Sequence, residues 1–399
     1  MSGVELMAII NGREIGRVER DTRGRLALTY AEDWRQAPGA YSLSFTMPLA
    51  SAQHGHKPIE TFLWNLLPDN DAVLQRWARQ FQVSARNPFA LLSHVGEDCA
   101  GAVQFVRPNR LDAVLGPAPS PVEWIDEVGI AERLRALRAD HTAWRAPSDA
   151  GQFSLAGAQP KTALLFEDGT WGVPSGRVPT THILKPPTGE FDGHAENEHF
   201  CIQLASALGL ITARSEVRWF GDEVAIVIKR YDRQRTPSGI LRVHQEDFCQ
   251  ALSVHPSRKY ENEGGPGARA SVELLRTFSD RPQEDVERFL DALIFNWLIG
   301  GTDAHAKNYS LLIGVEGRAR LAPLYDVASI LPYGFDLQKL RFAMKIGGAY
   351  RLREISARQW TKLAAELRLK PDALLERIRT MAARLPDHAA DFGTRNPVS

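Results

Sequence analysis

An apolar stripe at Val286, Phe289, Leu290, Leu293, Ile294, Trp297 and Leu298 constrains this chain more than any other feature. Spacings of three and four residues put all of these on one face of a helix, and Pro282 suits its first turn. A helix with so broad an apolar face must be buried against a large core. Its end therefore fixes where the following residues lie. They read Asp303-Ala304-His305-Ala306-Lys307-Asn308-Tyr309-Ser310, then an apolar run, a Gly-containing turn and Leu324-Tyr325-Asp326. The helix thus delivers the chain to a carboxylate, a carboxamide five positions on, and a second carboxylate after a predicted hairpin.

That order is similar to the spacing of a protein-kinase active site, where one Asp handles the acceptor hydroxyl and an Asn and a later Asp hold metal ions. Phosphoryl transfer demands little covalent work from a protein but much positioning and charge neutralisation. Hard oxygen ligands supply this by holding Mg²⁺ against the phosphates. Asn308 and Asp326 offer such oxygens, Asp303 is left to accept a proton, and Lys307 or His305 is near enough in sequence to meet the moving charge. Asp-x-x-x-x-Asn alone fits a turn or a helix cap equally well. The rest of the chain has to carry the argument.

A length of 399 residues suggests two or three domains, and 44% hydrophobic residues are ample for their cores. Lys plus Arg and Asp plus Glu balance at 48 each, so overall charge points to neither nucleic acid nor a membrane surface as a direct partner. A DNA contact would need a local patch or another chain. Cys99, Cys201 and Cys249 lack metal-ligand spacing and read as buried, reduced thiols of a cytoplasmic protein. No basic region precedes an apolar core at the N-terminus, and the longest apolar stretch is broken by Asp291 and Asn296. The expectation is a protein neither secreted nor membrane-spanning.

Residues 4 to 47 read as β structure, with an Asn11-Gly12 hairpin turn and alternation at Leu43, Phe45 and Met47. Helical periodicity follows around Phe62, Leu63 and Leu66 and again at Val73, Leu74 and Trp77, broken at Pro68-Asp69. Pro117, Pro119 and Pro121 mark a semi-extended linker and a domain boundary. An amphipathic helix is predicted over Trp124, Ile125, Val128, Ile130, Leu134 and Leu137. Phe153 to Lys161 is rich in small residues that let backbone approach phosphates, although it matches neither general phosphate-loop pattern. A hairpin turn explains it as well. The strand Thr181 to Pro186 carries Lys185 near its end, and a helix over Ala195 to Leu208 offers Glu196 or Glu198 as its partner. Helix-dipole preference explains those carboxylates equally. Strands at 215–219 and 223–229 lead to Arg230-Tyr231-Asp232, where a kinase chain would cross between lobes. Helices around 356–367 and 371–385 complete the chain, with Arg377, Arg379 and Arg384 read as a solvated face.

In this order the pieces resemble the HipA-type serine/threonine kinases, the toxin halves of bacterial toxin–antitoxin pairs. The resemblance rests on Ser154-Leu155-Ala156-Gly157-Ala158-Gln159-Pro160-Lys161, Ile183-Leu184-Lys185-Pro186, Asn197-Glu198, His244 to Gln250, Gly264-Gly265-Pro266-Gly267, Asp303 to Asn308 and Tyr325-Asp326. Asn65-Leu66-Leu67-Pro68 looks like that family's N-terminal coupling domain. The resemblance implies an α+β, two-lobed kinase-like fold with a β-rich N-lobe, a mainly helical C-lobe and an N-terminal α/β coupling subdomain. The implied divisions are 1–110, 122–246 and 247–399. It implies Asp303 as catalytic base and Asn308 with Asp326 as Mg²⁺ ligands. Lys185 would touch the phosphates of ATP, and Ala156, Gly157, Ala158, Gln159, Pro160 and Lys161 would cover them. Lys229, Arg230 and Tyr231 would form the adenine hinge. His305, Ala306, Lys307 and Tyr325 would line the nucleotide site, and Ser154 would be the autophosphorylated serine. Implied partners are a small helix-turn-helix antitoxin, operator DNA reached through it, and a protein substrate, an aminoacyl-tRNA synthetase with the glutamyl enzyme as first choice. Departures from general kinase patterns are the lack of His-Arg before Asp303 and of Asp-Phe-Gly at Asp326. A small-molecule phosphotransferase and a non-catalytic corepressor subunit are the alternatives. The N-terminal region is read as serving antitoxin coupling rather than chemistry.

Overall fold

The computed structural model describes residues 4–117, 120–146, 149, 153–189 and 193–395. Pro119 of the predicted linker lies outside them.

The N-terminal unit is an antiparallel five-stranded sheet in the spatial order Gln53–His54, Leu26–Tyr30, Arg13–Arg20, Val4–Ile10, Val103–Val106, with helices His56–Asn65, Asp71–Phe81 and Pro88–Val95. The first two long strands meet at Asn11 and Gly12, both with positive φ, the geometry a tight hairpin demands. The alternation at 43–47 does not make a strand; only an isolated bridge joins Ser44 and Met47. Leu43 and Met47 are buried all the same, because the Tyr30 hydroxyl accepts from the Leu43 N–H at 2.8 Å and donates to the Met47 carbonyl at 2.6 Å. Part of the Pro-rich stretch from Arg107 to Pro121 is regular structure rather than extended linker. Leu111–Leu115 is a short helix whose Val114 packs on Ile9 and Val106.

Six antiparallel strands form the second sheet, in the order Arg214–Phe220, Glu223–Lys229, His182–Lys185, Thr162–Glu167, Thr170–Pro174, Val122–Ile125. Trp124 and Ile125 are thus strand residues, not helical ones. The helix begins at Glu127, where the Asp126 side chain accepts the Gly129 N–H at 2.9 Å, and Val128 points to solvent. Alternation along Glu223–Lys229 sends Ala225 and Val227 toward helix Glu127–Ala139 and Ile226 and Ile228 toward helix His194–Ala207.

Helices Ala268–Phe278, Pro282–Ile299, Ala357–Glu366 and Pro371–Arg395 build the last unit, with a small sheet of His244–Asp247, Ser310–Ile313 and Ala319–Leu321. Helix Pro282–Ile299 lies in the main core, and Gly300, at φ +68°, ends it and turns the chain toward Asp303. Arg377 is not simply solvated: its guanidinium grips Asp291 at 2.9 and 2.5 Å and ties the last helix to this one. Among the described residues no helix is long and apolar enough to cross a membrane.

Candidate active site

A cavity of about 460 Å³ opens where the three units meet, within the range of small-ligand sites. Its wall includes residues 155–161, Lys185, Lys229, Arg230, Tyr231, Asp303, His305, Lys307, Asn308, Tyr325 and Asp326. Residues scattered over half the chain are therefore brought together. Ala306 belongs to the same buried 3₁₀ turn as Asn308.

Lys185 ends an interior strand, so its side chain is carried inward and buried. Its ammonium lies 2.9 and 3.1 Å from the Glu198 carboxylate and 2.6 Å from Asp326. Glu198, not Glu196, is the helix partner. Burial alone would favour the neutral amine, but Asp326 and Glu198 outweigh it and hold Lys185 above its ordinary pKa. Burial would likewise raise Asp326; Lys185 and Lys161 overcome it and keep that carboxyl well below the usual range. Asp326 sits at φ +57°, a left-handed conformation uncommon outside glycine. The preceding Tyr325 is anchored by its hydroxyl to the Lys307 carbonyl and Ser310, each at 2.7 Å.

Asp303 is open to the cavity, and Tyr260 donates a hydrogen bond to one of its oxygens. Desolvation raises its pKa, Tyr260 opposes, and the charge of Asp326 adds to the rise. The Asn308 amide donates to the Asp303 carbonyl at 2.9 Å, which leaves its carboxamide oxygen for a cation. Asn308 and Asp326 are hard oxygen donors that fit Mg²⁺, an ion that keeps several waters and takes phosphate oxygens for the rest of its shell. Among the described residues there is no cluster of three or more His, Cys, Asp or Glu that could hold a metal ion.

Neither sequence candidate for meeting the moving charge is a free cation. The Lys307 ammonium is committed to Asp247 at 2.8 Å and to the side chain and carbonyl of Asn65 at 2.9 and 3.1 Å. His305 is buried, which with Lys259 nearby drives its pKa down to about 3 and keeps it neutral. Lys161 is the loop's cation: its ammonium donates to the Ala156 carbonyl at 2.7 Å, and burial, then Lys185, lower its pKa to about 8. Gly157 permits this closure, since a Cβ there would lie 2.5 Å from the Lys161 nitrogen and φ is +105°. Gln159 reaches His194 at 3.1 Å, and Pro160 is buried.

At the hinge, Lys229 pairs with His182 across the sheet and the Arg230 N–H donates to the Thr181 carbonyl at 2.9 Å. The Arg230 guanidinium turns to Asp98, Thr180, Asp232 and the Cys99 carbonyl. It is structural. Tyr231 packs against Tyr325 with ring centroids 5.6 Å apart and ring planes tilted by 36°.

The N-terminal unit enters this site directly. The Ser154 hydroxyl, fully buried, donates to the Leu66 carbonyl at 2.8 Å, and the Asp69 N–H donates to the Gly157 carbonyl at 3.0 Å. Asn65 and Asp69 stand on the cavity wall, and Asp69 pairs with Lys259 at 3.0 Å. Sequence patterning does not single out Asp69, Lys259 or Tyr260. Their sequence signals were present in Asn65-Leu66-Leu67-Pro68 and in the glycines at 264–267, but neither contains a residue type that announces catalysis.

A family model described as the HipA-like C-terminal domain matches residues 153–389, and one described as the HipA N-terminal domain matches 6–106. A Sinorhizobium fredii protein, Y4mE, whose name carries a provisional kinase assignment, is 40% identical over 89% of this chain and 84% of its own length. The serine/threonine-protein kinase toxin HipA of Shewanella oneidensis is 30% identical over 94% of this chain and 86% of its own. The solved Shewanella oneidensis complex of HipA, HipB and operator DNA superposes with a TM-score of 0.85 at 28% identity, covering 99% of this chain and 92% of that one.

Proposed function

This chain belongs to the HipA family of serine/threonine-protein kinase toxins, and from that premise we propose an ATP- and Mg²⁺-dependent kinase whose reaction runs in the cavity around Asp303. One observation carries the reading. A buried lysine is clamped between a helix carboxylate and Asp326 on the wall of an open cavity, the arrangement that protein kinases need around nucleotide phosphates.

In this reading Asp303 accepts the proton of the attacking hydroxyl, and Lys185, steadied by Glu198, meets phosphate oxygens. Asn308 and Asp326 hold Mg²⁺, which supplies charge neutralisation when bound. Residues Ala156 to Lys161 cover the phosphates. Adenine falls to the hinge backbone between Lys229 and Tyr231, where the Arg230 N–H is already spent. Ser154 is the autophosphorylation site. Its hydroxyl must leave the Leu66 carbonyl to react, and a phosphate of roughly −1.5 to −2 charges does not fit the closed seat, so the modified loop stays out and ATP binding falls.

The acceptor is a protein, with an aminoacyl-tRNA synthetase of glutamyl type as first choice, and growth arrest follows from its modification. The partners are a helix-turn-helix antitoxin and, through it, the operator DNA that the pair represses. HipB and operator DNA accompany the Shewanella protein in its complex. Three buried free cysteines support a cytoplasmic location. Phosphoproteomics of cells expressing wild type against Asp303→Ala tests the reading: new phosphosites should require Asp303. Label on metabolites would favour a small-molecule acceptor, and pure wild-type protein that does not turn over ATP would favour the non-catalytic subunit.

A further inference from the structure

We propose that Tyr260 is the positioning residue for Asp303, held in place by a glycine-closed strap over residues 255–267; this rests on the reading of Asp303 as the base. The Tyr260 hydroxyl donates to Asp303 Oδ1. That bond fixes the carboxylate rotamer and leaves the second oxygen to accept a proton. A neutral phenol suits the task, because a cation there would make the carboxylate a poorer base. Burial and the charge of Asp303 hold the phenol above its ordinary 10, so it remains a donor.

The strap is tightly built. Its entry is a 3₁₀ turn, Pro256–Arg258, capped by His255. The Lys259 carbonyl accepts the Ala306 N–H at 3.3 Å, joining strap to catalytic loop, and the Tyr260 ring meets His305 edge-on with centroids 5.0 Å apart. The Lys259 ammonium reaches Asp69 of the N-terminal unit. Beyond Tyr260 the chain folds back, with the Gly265 N–H donating to the Tyr260 carbonyl at 2.9 Å. Gly264 takes φ +88°, and a Cβ on Gly265 would fall 2.0 Å from the Arg258 carbonyl and 2.8 Å from that of Tyr260. Glu261 closes the return by binding the Lys345 N–H at 2.7 Å and its ammonium at 3.1 Å. The Gly264-Gly265-Pro266-Gly267 sequence is thereby explained: it lets Tyr260 be presented to Asp303 on a rigid loop.

The test follows loss of label from [γ-³²P]ATP by the purified full chain with Mg²⁺, for wild type, Asp303→Asn, Tyr260→Phe and a chain with p-aminophenylalanine replacing Tyr260. Removing the hydroxyl is expected to lower kcat roughly ten- to a hundredfold, a share of the 10²–10⁴ that a positioned base contributes. KM for ATP and the melting temperature should stay close to wild type. The amino-substituted ring restores a donor at that point and should recover most of the loss. A Tyr260→Phe chain with wild-type kcat, one altered only in KM, or an amino variant as slow as Phe would overturn the positioning role. Asp303→Asn turning over at the wild-type rate would instead overturn the base assignment beneath it.

Discussion

Two buried ionic clusters flank the hinge, and they differ in whether protein groups complete them. Around Asp98, the carboxylate takes Arg233 at 2.8 Å, Arg230 at 3.3 Å, Arg242 at 3.4 Å and the Thr180 hydroxyl at 2.6 Å, while Asp232 takes Arg230 and the Gly101 N–H. Both carboxylates are saturated by protein donors. Around Lys185 a single ammonium serves Glu198 and Asp326, and the Asp326 side chain remains 37% exposed, facing the cavity. Buried charge by itself does not mark a catalytic site; a buried charge with an exchangeable partner does. The first cluster locks the N-terminal unit to the hinge, and the second is the one that, in the function proposed above, trades protein partners for phosphate and metal.

The largest effect expected from this contrast is on folding. Asp98→Ala leaves Arg242 without a carboxylate and Arg230 and Arg233 sharing Asp232 alone, and breaking a buried pair in this way costs about 3–5 kcal/mol. Asp326→Ala leaves Lys185 with Glu198 and should cost about 1 kcal/mol. Urea denaturation of both variants measures this, and equal losses would erase the distinction.

Next comes the seam between the N-terminal unit and the phosphate loop. Ser154→Ala deletes one hydrogen bond and should change ATP affinity by less than about tenfold, in keeping with the roughly 0.5–1.5 kcal/mol of a single bond. Ser154→Asp adds bulk and charge to a closed seat beside Leu66 and should lower it by at least roughly tenfold. Calorimetric titration with ATP compares them; identical affinities would show that the seat does not govern the loop.

The smallest effect sharpens the comparison with a buried carboxyl that has no cation beside it. Glu246 is buried, accepts the Phe45 N–H at 2.9 Å and, by burial, has its pKa raised from 4.5 to about 8. Between those values the folded state keeps a proton that the unfolded state releases, so stability falls as pH rises through the window. Glu246→Gln removes that slope. Its melting temperature relative to wild type should climb by roughly 2–4 °C between pH 5 and pH 8, and a constant difference would show that Glu246 does not titrate there.

Periodicity made the helix Pro282–Ile299, and with it the position of Asp303, legible in the sequence, because an apolar stripe has one physical solution. The same logic misplaced Trp124 and Ile125. There a strand runs directly into a capped helix, and two periods overlap within a few residues. Strand Leu26–Tyr30 falls inside the 4–47 stretch read as β structure but cannot be singled out there, because its alternating burial of Leu26, Leu28 and Tyr30 involves few residues. Lys185, Asn308 and Asp326 could be singled out since their chemistry is local to short motifs. Tyr260, Asp69 and the commitment of Lys307 to Asn65 could not, because each depends on a contact between residues dozens to hundreds of positions apart.

ATP binding measured by calorimetry with and without Mg²⁺, on wild type, Asp326→Ala and Asp303→Ala, tests most directly whether this cavity is a metal–nucleotide site with a separate base. Wild type and Asp303→Ala are predicted to bind alike and to need Mg²⁺, whereas Asp326→Ala binds weakly and is indifferent to the metal. An Asp326→Ala chain that keeps Mg²⁺-dependent affinity, or an Asp303→Ala chain that loses ATP altogether, would contradict the account.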